Sequence, residues 1–328
     1  MKELYTKAFA LVKAAKTIAI AGHIQPDGDC IGSAIALKIA FEKLGKTVDV
    51  FFDAGVSGMS KQFSYLHGYE QIHTLTDAVK ENYDLFFIVD LNTVDRLGCF
   101  EHLIDNAKKT ICVDHHVGFN LKNIDVVISD PMRAASGEMI YEFFKTNNIK
   151  ITREIADALW TSISTDTGCF LYPSTKPSTH IIAASLIECG ADSENINYKL
   201  FREYDKRIIK GIREVLHNVK FYAGGKVAII YLKKKYYLGY NQEERNRFKH
   251  YVSDIKGVKI SATIGEDING VCRVGLRSHD RYNVEEVAKT FGGGGHQHAA
   301  GLSIRGGWRR ARKLVAAELE KLFADENK

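Results

Sequence analysis

The sequence lacks a long hydrophobic run, and this absence excludes a membrane-spanning protein. None of its apolar stretches approaches the roughly 18 to 20 residues that a membrane span needs. The first residues, MKELYTKAFALVKAAK, have the spacing of an amphipathic helix and lack the apolar segment and cleavage site of a signal peptide. We therefore expect neither membrane association nor secretion.

The chain also lacks a large excess of either charge and lacks paired cysteines. Lysine plus arginine number 45 and aspartate plus glutamate 40, and a net charge of +5 is too small for a general nucleic-acid-binding coat, although a local basic patch stays open. The six cysteines form no CxxC pair, and several lie inside apolar runs. We interpret them as reduced packing residues, which favours a cytoplasmic location.

What the chain does contain is an alternation of strand and helix patterns in its first half. Nearly continuous apolar runs occur at residues 16–22, 47–52, 84–89, 110–113 and 126–129. Helical spacing separates several of them, and Ser136 is the predicted N-cap of the helix SGEMIYEFF. Buried strands separated by helices predict an α/β fold whose N-terminal, mostly parallel sheet has helices on both faces.

The pattern changes near residue 190, and the length of the chain favours two domains. Residues 191–222 are charged and helix-compatible, so we interpret them as a helical linker between a first domain at 1–190 and a smaller α/β domain at 223–328. The smaller domain contains a predicted hairpin around Ile268-Asn269-Gly270 and the glycine-rich stretch FGGGGHQHAAG.

Acidic residues and histidines stand where the predicted strands end. The stretch HIQPDGD follows the first strand, VDLNTVDR and VDHH end two later strands, and STDTG ends a helix. The carboxyl ends of parallel strands meet at one edge of a sheet, where ligands bind in such folds. We therefore expect eight side chains to converge there, namely those of His23, Asp27, Asp29, Asp90, Asp114, His115, His116 and Asp166.

Taken singly, each of these residues has an ordinary structural explanation as a turn former, a helix cap or a satisfied polar group. Taken together, so many carboxylates would repel one another and raise their pKa values unless cations lay among them. Carboxylate and imidazole ligands without thiolates suit two divalent ions of the Mn²⁺ or Mg²⁺ kind. Two such ions can stabilise both the attacking and the leaving oxygen of a phosphoryl group.

Five motifs carry a family resemblance. HIQPDGDCIGS, VDLNTVDR, VDHH and TDTG resemble the four motifs of the DHH family of phosphoesterases, in their usual order and spacing. FGGGGHQHAAG, with the preceding RS of LRSHD, resembles the glycine-rich motif of the DHH-associated C-terminal domain. The resemblance covers nearly the whole chain and is greatest to the short, two-domain oligoribonucleases of that family, which also dephosphorylate adenosine 3′,5′-bisphosphate.

The resemblance implies six metal ligands, which are His23, Asp27, Asp29, Asp90, His115 and Asp166. His23 and Asp27 would bind one metal. Asp29, His115 and Asp166 would bind the second metal, and Asp90 would bridge both. The implied catalytic group is Asp90, Asp114, His115 and His116, in which Asp114 orients a ligand histidine and His116 lies near the scissile phosphate. Cys30 is close enough to coordinate, but we favour a packing role.

The glycine-rich stretch has two explanations, because glycine runs form flexible hinges and also expose backbone N–H groups to anions. The residues alone leave these two equal. The resemblance favours anion binding, with substrate contacts from Arg277, Ser278, Gly294, Gly295 and His296. It also implies that the first domain holds the metals and cleaves while the second binds the substrate.

The leading hypothesis is a cytoplasmic, two-metal phosphoesterase that prefers Mn²⁺ over Mg²⁺. It would hydrolyse short RNA or DNA oligonucleotides to mononucleotides and dephosphorylate a nucleoside bisphosphate. A cyclic-dinucleotide phosphodiesterase, an exopolyphosphatase-like enzyme and a single-strand exonuclease stay open, because all would use the same metal site. A non-catalytic nucleotide-binding protein is the alternative outside the enzymes, and a homodimer is a further possibility.

Overall fold

The computed structural model describes residues 1–55, 58–74, 79–80, 82–240, 242–267 and 269–324. The chain divides into two compact units, Met1–Glu203 and Tyr204–Lys328. Residues 191–222, which we interpreted as a linker, are divided between them: a short helix and a π-helical turn belong to the first unit, and the next helix belongs to the second.

The first unit is built on a six-stranded sheet. Its strands are β1 Thr17–Ala21, β2 Thr47–Phe51, β3 Ile72–His73, β4 Leu85–Val89, β5 Thr110–Asp114 and β6 Val126–Ser129. The strand order is β3-β2-β1-β4-β5-β6, and every pair is parallel. The chain adds strands on one side of β1 and then returns to its other side with β4, so β1 and β4 flank the topological switch point of the sheet.

Helices cover both faces of this sheet, which confirms the predicted fold class. They are α1 Lys2–Ala14, α2 Gly28–Lys43, α3 Leu103–Asn106, α4 Ser136–Thr146, α5 Arg153–Asp166, α6 Pro177–Glu188 and α7 Ser193–Asn197, followed by the π-helical turn Tyr198–Arg202. One apolar core joins α1, α2, α4, α5 and α6 to the sheet, and a second core on the opposite face includes α3.

Two glycines let α2 approach α5 closely. A Cβ at Gly32 would lie 2.4 Å from the backbone oxygen of Ala158, and a Cβ at Gly28 would lie 2.3 Å from the side chain of Thr165. A larger residue would therefore push the two helices apart. The close contact brings the last turn of α5, which carries Asp166, to the first turn of α2.

The predicted capping role of Ser136 is wrong. Helix α4 begins at Ser136 itself, and its N-cap is Ala135, which makes no side-chain capping hydrogen bond. The Ser136 hydroxyl instead donates to Asp90 Oδ1 at 3.2 Å. A long-range contact has here replaced the local hydrogen bond that the capping rule expects.

The second unit contains a mixed six-stranded sheet with the order β11-β12-β10-β9-β8-β7. Its strands are β7 Lys220–Tyr222, β8 Val227–Leu232, β9 Ile260–Glu266, β10 Val271–Ser278, β11 Gly294–His296 and β12 Ala299–Arg305. Strands β8 and β9 are parallel, and the other pairs are antiparallel. The predicted hairpin is confirmed as β9–β10, although Ile268 of its turn lies outside the described residues.

Helices pack on both faces of the second sheet as well. They are α8 Ile208–Asn218, α9 Lys234–Gly239, α10 Gln242–Ser253, α11 Val284–Thr290 and α12 Trp308–Lys321. One core places α11 and α12 against the sheet, and another places α8 and α10 against the opposite face of β8. Within the ranges that the structure describes, no helix combines the length and the apolar character needed to cross a membrane.

Candidate active site

The candidate site lies beyond the carboxyl ends of β1 and β4. His23 follows β1 and Asp90 follows β4, and both are buried. Asp90 has a φ of 59°, in the left-handed region that aspartate tolerates better than most other residues. His23 Nδ1 donates to the oxygen of Ile24 at 2.8 Å, which leaves Nε2 as a ligand atom 3.4 Å from Asp90 Oδ2. The two residues therefore meet at the switch point.

Asp29, on the first turn of α2, is fully buried and held by four donors. The Ser162 and Ser33 hydroxyls donate to its Oδ1 at 2.5 and 3.1 Å. The backbone N–H of Ser136 donates to Oδ2 at 2.7 Å, and that of Gly137 donates to Oδ1 at 3.2 Å. Hydrogen bonds to a carboxylate fix its position and compensate in part for its burial.

His115, directly after β5, faces three carboxylates. Its Nε2 lies 3.1 Å from Asp166 Oδ2, 3.4 Å from Asp90 Oδ1 and 3.6 Å from Asp29 Oδ2. Its Nδ1 donates to the backbone oxygen of Arg133 at 3.3 Å. This second contact keeps Nε2 pointed at the acidic group, as it does in many metal-binding histidines.

The ionisation of the cluster reflects crowded negative charge. Burial raises the pKa of Asp29 well above its ordinary value, and the nearby Asp90 carboxylate contributes to this rise. Burial together with the Asp27 and Asp90 carboxylates raises the pKa of Asp166 to about 6. Burial lowers the pKa of the two histidines, but hydrogen bonding to carboxylates outweighs the effect of burial. The pKa of His23 rises to about 10 and that of His115 to about 12. Protonated imidazoles thus supply the positive charge that a divalent cation would otherwise provide.

The donor atoms are also spaced for metal ions. Among the residues that the structure describes, three sets of side chains each bring their ligand atoms within 4.8 Å of one another, namely His23-Cys30-Asp90, Asp90-His115-His116 and Asp29-His115-Asp166. Metal–ligand distances of about 2.1 Å in octahedral geometry place adjacent ligands about 3 Å apart and opposite ligands about 4.2 Å apart. Asp90 belongs to the first two sets and His115 to the last two. The residues therefore fit one or two divalent ions.

Two residues of the first motif differ from the others in their contacts. Asp27 is the N-cap of α2, where its Oδ1 accepts from the N–H groups of Asp29 and Cys30, and it lies 3.7 Å from His23 Nε2. Its ligand role stays a prediction. Cys30 is fully buried, and burial raises the pKa of its thiol well above the ordinary value, which fits the predicted packing role.

Asp114 and His116 form a separate pair beside the acidic cluster. His116 Nδ1 donates to Asp114 Oδ1 at 2.7 Å, and Asp114 is fully buried while His116 is partly exposed. The other oxygen of Asp114 has no hydrogen-bond partner among the residues that the structure describes. The histidine that Asp114 contacts is therefore His116, whereas the sequence resemblance implied one of the metal ligands.

Comparison with known proteins follows the same division of the chain. A family model described as the DHH family, N-terminal domain, matches residues 17–163, and one described as the DHHA1 domain matches residues 224–325. The chain therefore contains a DHH-family N-terminal domain and a DHHA1 domain. The predicted enzyme class, a hydrolase of phosphoester bonds, is confirmed with them.

Several relatives and solved structures are similar over most of their length. The bifunctional oligoribonuclease and PAP phosphatase NrnA of Thermus thermophilus is 27% identical over 93% of this chain and 90% of its own. The protein of the same name from Bacillus subtilis is 24% identical over 93% of this chain and 94% of its own. An exopolyphosphatase-related protein from Bacteroides fragilis has a TM-score of 0.89 at 25% identity, covering 98% of this chain and 96% of its own. The manganese-bound exonuclease RecJ shares the fold, with a TM-score of 0.54 at 13% identity, covering 98% of this chain and 94% of its own.

Sequence reasoning missed several residues of the DHH domain that support the site. Ser162 and Gly137 hold Asp29, and the backbone oxygen of Arg133 holds His115. One signal was available, because Ser162 precedes Asp166 by four residues and so shares its face of α5. No comparable local pattern marks Gly137 or Arg133.

In the DHHA1 domain, the predicted substrate contacts lie on β10 and β11. Arg277 is exposed on β10. Ser278 is buried and its hydroxyl donates to the oxygen of Tyr282 at 2.7 Å, so its substrate role stays a prediction. The backbone of His296 belongs to β11, but its side chain lies outside the described part of the chain.

The glycines form a strip across three strands of the DHHA1 sheet. Gly275 on β10 pairs with Gly301 on β12, which pairs with Gly294 on β11. A Cβ at Gly294 would meet no heavy atom of the described residues within 4 Å, and one at Gly301 would meet only a backbone oxygen at 3.8 Å. Paired residues share a face, and so do alternate residues of one strand, so Arg277 lies on the same face as this strip.

Proposed function

We propose that the chain is a Mn²⁺-dependent phosphoesterase that hydrolyses short oligonucleotides to mononucleotides and dephosphorylates adenosine 3′,5′-bisphosphate. The observation that carries the proposal is the convergence of His23, Asp29, Asp90, His115 and Asp166 within contact distance of one another. The substrate class is supported by relatives from two bacteria that are named for these activities and align over most of this chain.

Two divalent ions would be held by the six predicted ligands of the DHH domain, with Asp90 in both coordination groups. When bound, such ions supply positive charge that stabilises the negative charge developing on phosphoryl oxygens. The hard carboxylate oxygens favour Mn²⁺ or Mg²⁺, and the imidazole nitrogens favour Mn²⁺ of these two. The serine and backbone donors around Asp29 keep that carboxylate in place whether or not an ion is bound.

His116 is the residue best suited to move a proton. Its Nδ1–H is donated to the buried Asp114, so its Nε2 is the nitrogen that can hold or release a proton. A carboxylate in this position fixes the orientation of the imidazole. We therefore assign His116 to protonation of the leaving oxygen and Asp114 to its orientation.

The DHHA1 domain would bind the substrate through Arg277 and the glycine strip. A guanidinium group donates two parallel hydrogen bonds to a phosphate, and a surface without side chains allows the ligand to approach the backbone. The chain would then divide its work between a unit that carries the metals and a unit that binds an anion.

Product analysis on a panel of substrates tests the proposal. Wild-type enzyme with Mn²⁺ should convert a diribonucleotide to mononucleotides and release phosphate from adenosine 3′,5′-bisphosphate. Cyclic dinucleotides, polyphosphate and long single-stranded DNA in the same panel represent the three alternative enzymes. Faster turnover of any of these than of the diribonucleotide would replace the proposed function, and binding without turnover of all of them would favour a nucleotide-binding protein.

A further inference from the structure

A lysine from α10 overhangs one end of the glycine strip. A Cβ at Gly275 would lie 3.6 Å from Lys249 Cε and 3.8 Å from Lys249 Nζ. Alternate residues of a strand point to the same face, so this Cβ direction is also the direction of the Arg277 side chain. The Lys249 ammonium group and the Arg277 guanidinium group therefore lie over the same face of β10.

A third cation lies one turn earlier on α10. Arg245 donates to the backbone oxygens of Tyr237 and Tyr240 at 2.9 and 2.7 Å, and its guanidinium group lies 4.8 Å from the centre of the Tyr237 ring. These contacts fix Arg245 on the helix. Lys249 is thus placed between a fixed cation on its own helix and Arg277 on β10.

The electrostatic situation of Lys249 agrees with this placement. Burial lowers the pKa of its ammonium group, and together with the positive charges of Arg277 and Arg245 it brings that pKa to about 8. A phosphate group bound near these three side chains would offset the repulsion among their positive charges.

We propose that Lys249 contacts a phosphate of the substrate together with Arg277, as a second cationic contact in the DHHA1 domain. The inference rests on the proposed function, since it names a further residue of the same substrate site. A compact ammonium group can turn its three donors towards an anion, while the planar guanidinium fixes the anion's orientation. Neither the charge pattern of α10 nor the glycine motif marks Lys249 in the sequence.

The experiment is a calorimetric titration with adenosine 3′,5′-bisphosphate at pH 7 in EDTA, where metal-dependent hydrolysis is absent. Lys249→Gln should weaken binding about tenfold or more, because a charged hydrogen bond is lost. Lys256→Gln removes the same charge from an exposed lysine in the turn after α10 and should leave the affinity unchanged. Binding by Lys249→Gln within twofold of wild type would overturn the assignment.

A pH series gives a second readout that a merely structural role would not change. Wild-type affinity should fall as the pH rises through about 8, where Lys249 loses its proton. Lys249→Arg stays protonated across this range, so its affinity should lack that decrease. The same decrease in wild type and Lys249→Arg would overturn the assignment even if Lys249→Gln failed to fold.

The outcomes for Lys249 and for the proposed function are separable. Wild-type enzyme that binds the bisphosphate through Lys249 but hydrolyses neither it nor a diribonucleotide would keep the Lys249 assignment and remove the proposed function. If wild-type enzyme hydrolyses the diribonucleotide while Lys249→Gln binds the bisphosphate normally, the proposed function would stand and the Lys249 assignment would be removed. No measurable binding of the bisphosphate by wild type would overturn the Lys249 assignment.

Discussion

The two units hold their charged groups in opposite ways. In the DHH domain, Asp29 and Asp114 have no exposed surface and Asp90 is 2% exposed, and the acidic groups contact one another through histidines. In the DHHA1 domain, Arg277 is exposed beside a strip of glycines. Buried carboxylates this close suit a resident cation, whereas an exposed cation beside an open surface suits an anion that binds and leaves.

Under the proposed function, two kinds of site would contact one phosphoester substrate. The first unit would provide ligands for metal ions and a histidine that can move a proton. The second would provide positive charge and accessible backbone. Changes in the first unit should therefore act on metal binding and turnover, and changes in the second should act on substrate affinity.

The largest effect is expected from Asp90→Asn. This change removes one charged oxygen from both predicted metal groups while asparagine still tolerates the left-handed backbone. Hydrolysis of a diribonucleotide with Mn²⁺ should fall on the order of a thousandfold or more in kcat/KM. The matched control is Asp280→Asn, because Asp280 is also in the left-handed region, at φ 57°, but pairs with Lys259 in the other unit. Near-normal activity of Asp90→Asn would rule out its assigned role.

The next largest effect is expected from Ser162→Ala, which removes one of the donors that hold Asp29. Loss of a residue that orients a metal ligand typically lowers metal affinity about 10- to 100-fold. Equilibrium Mn²⁺ titration measures this affinity. Ser164→Ala is the control, since Ser164 is also buried on α5 but donates to Asn197. Equal Mn²⁺ affinities in the two variants would mean that the contact with Asp29 is unimportant.

A smaller and different effect is expected from Arg277→Gln. Its KM should rise about tenfold because a charged contact with a phosphate is lost. The value of kcat and the Mn²⁺ content should stay unchanged. Arg273→Gln is the control four residues earlier on β10, where the guanidinium group donates to Ser303. A fall in bound Mn²⁺ after Arg277→Gln would contradict the separation of the two units.

The smallest expected effect concerns substrate length. RNA of about two to five nucleotides should be hydrolysed several-fold faster than a strand of about 24 nucleotides, since a net charge of +5 offers little to bind the additional phosphates. The measurement is kcat/KM with Mn²⁺ over a series of 5′-labelled RNAs at fixed salt. A rate that rises steadily with length would indicate a processive nuclease.

Much of the DHH site could be predicted because it depends on strand ends. Asp90 and His115 follow apolar strands directly and Asp114 is the last residue of β5, and parallel strands bring their ends together whatever lies between them. The capping prediction for Ser136 failed because a local rule cannot include a tertiary contact with Asp90.

Residues that act through distant partners were not predictable in this way. Ser162 is 133 residues from Asp29 in the sequence. Lys249 lies in a charged helix whose pattern is that of a solvated surface, and only the packing of α10 against the sheet places it over Gly275. Such contacts depend on the crossing of helices and sheets, which the spacing of motifs does not encode.

The assignment of the metals to the first unit is tested most directly by the number of Mn²⁺ ions bound per chain by wild type, Asp90→Asn and Arg277→Gln. Equilibrium dialysis with metal analysis gives this number without reference to any substrate. We expect two ions for wild type, two for Arg277→Gln and fewer than two for Asp90→Asn. Two tightly bound ions in Asp90→Asn, or a loss of ions in Arg277→Gln, would contradict the assignment of the metals to the first unit and of the substrate to the second.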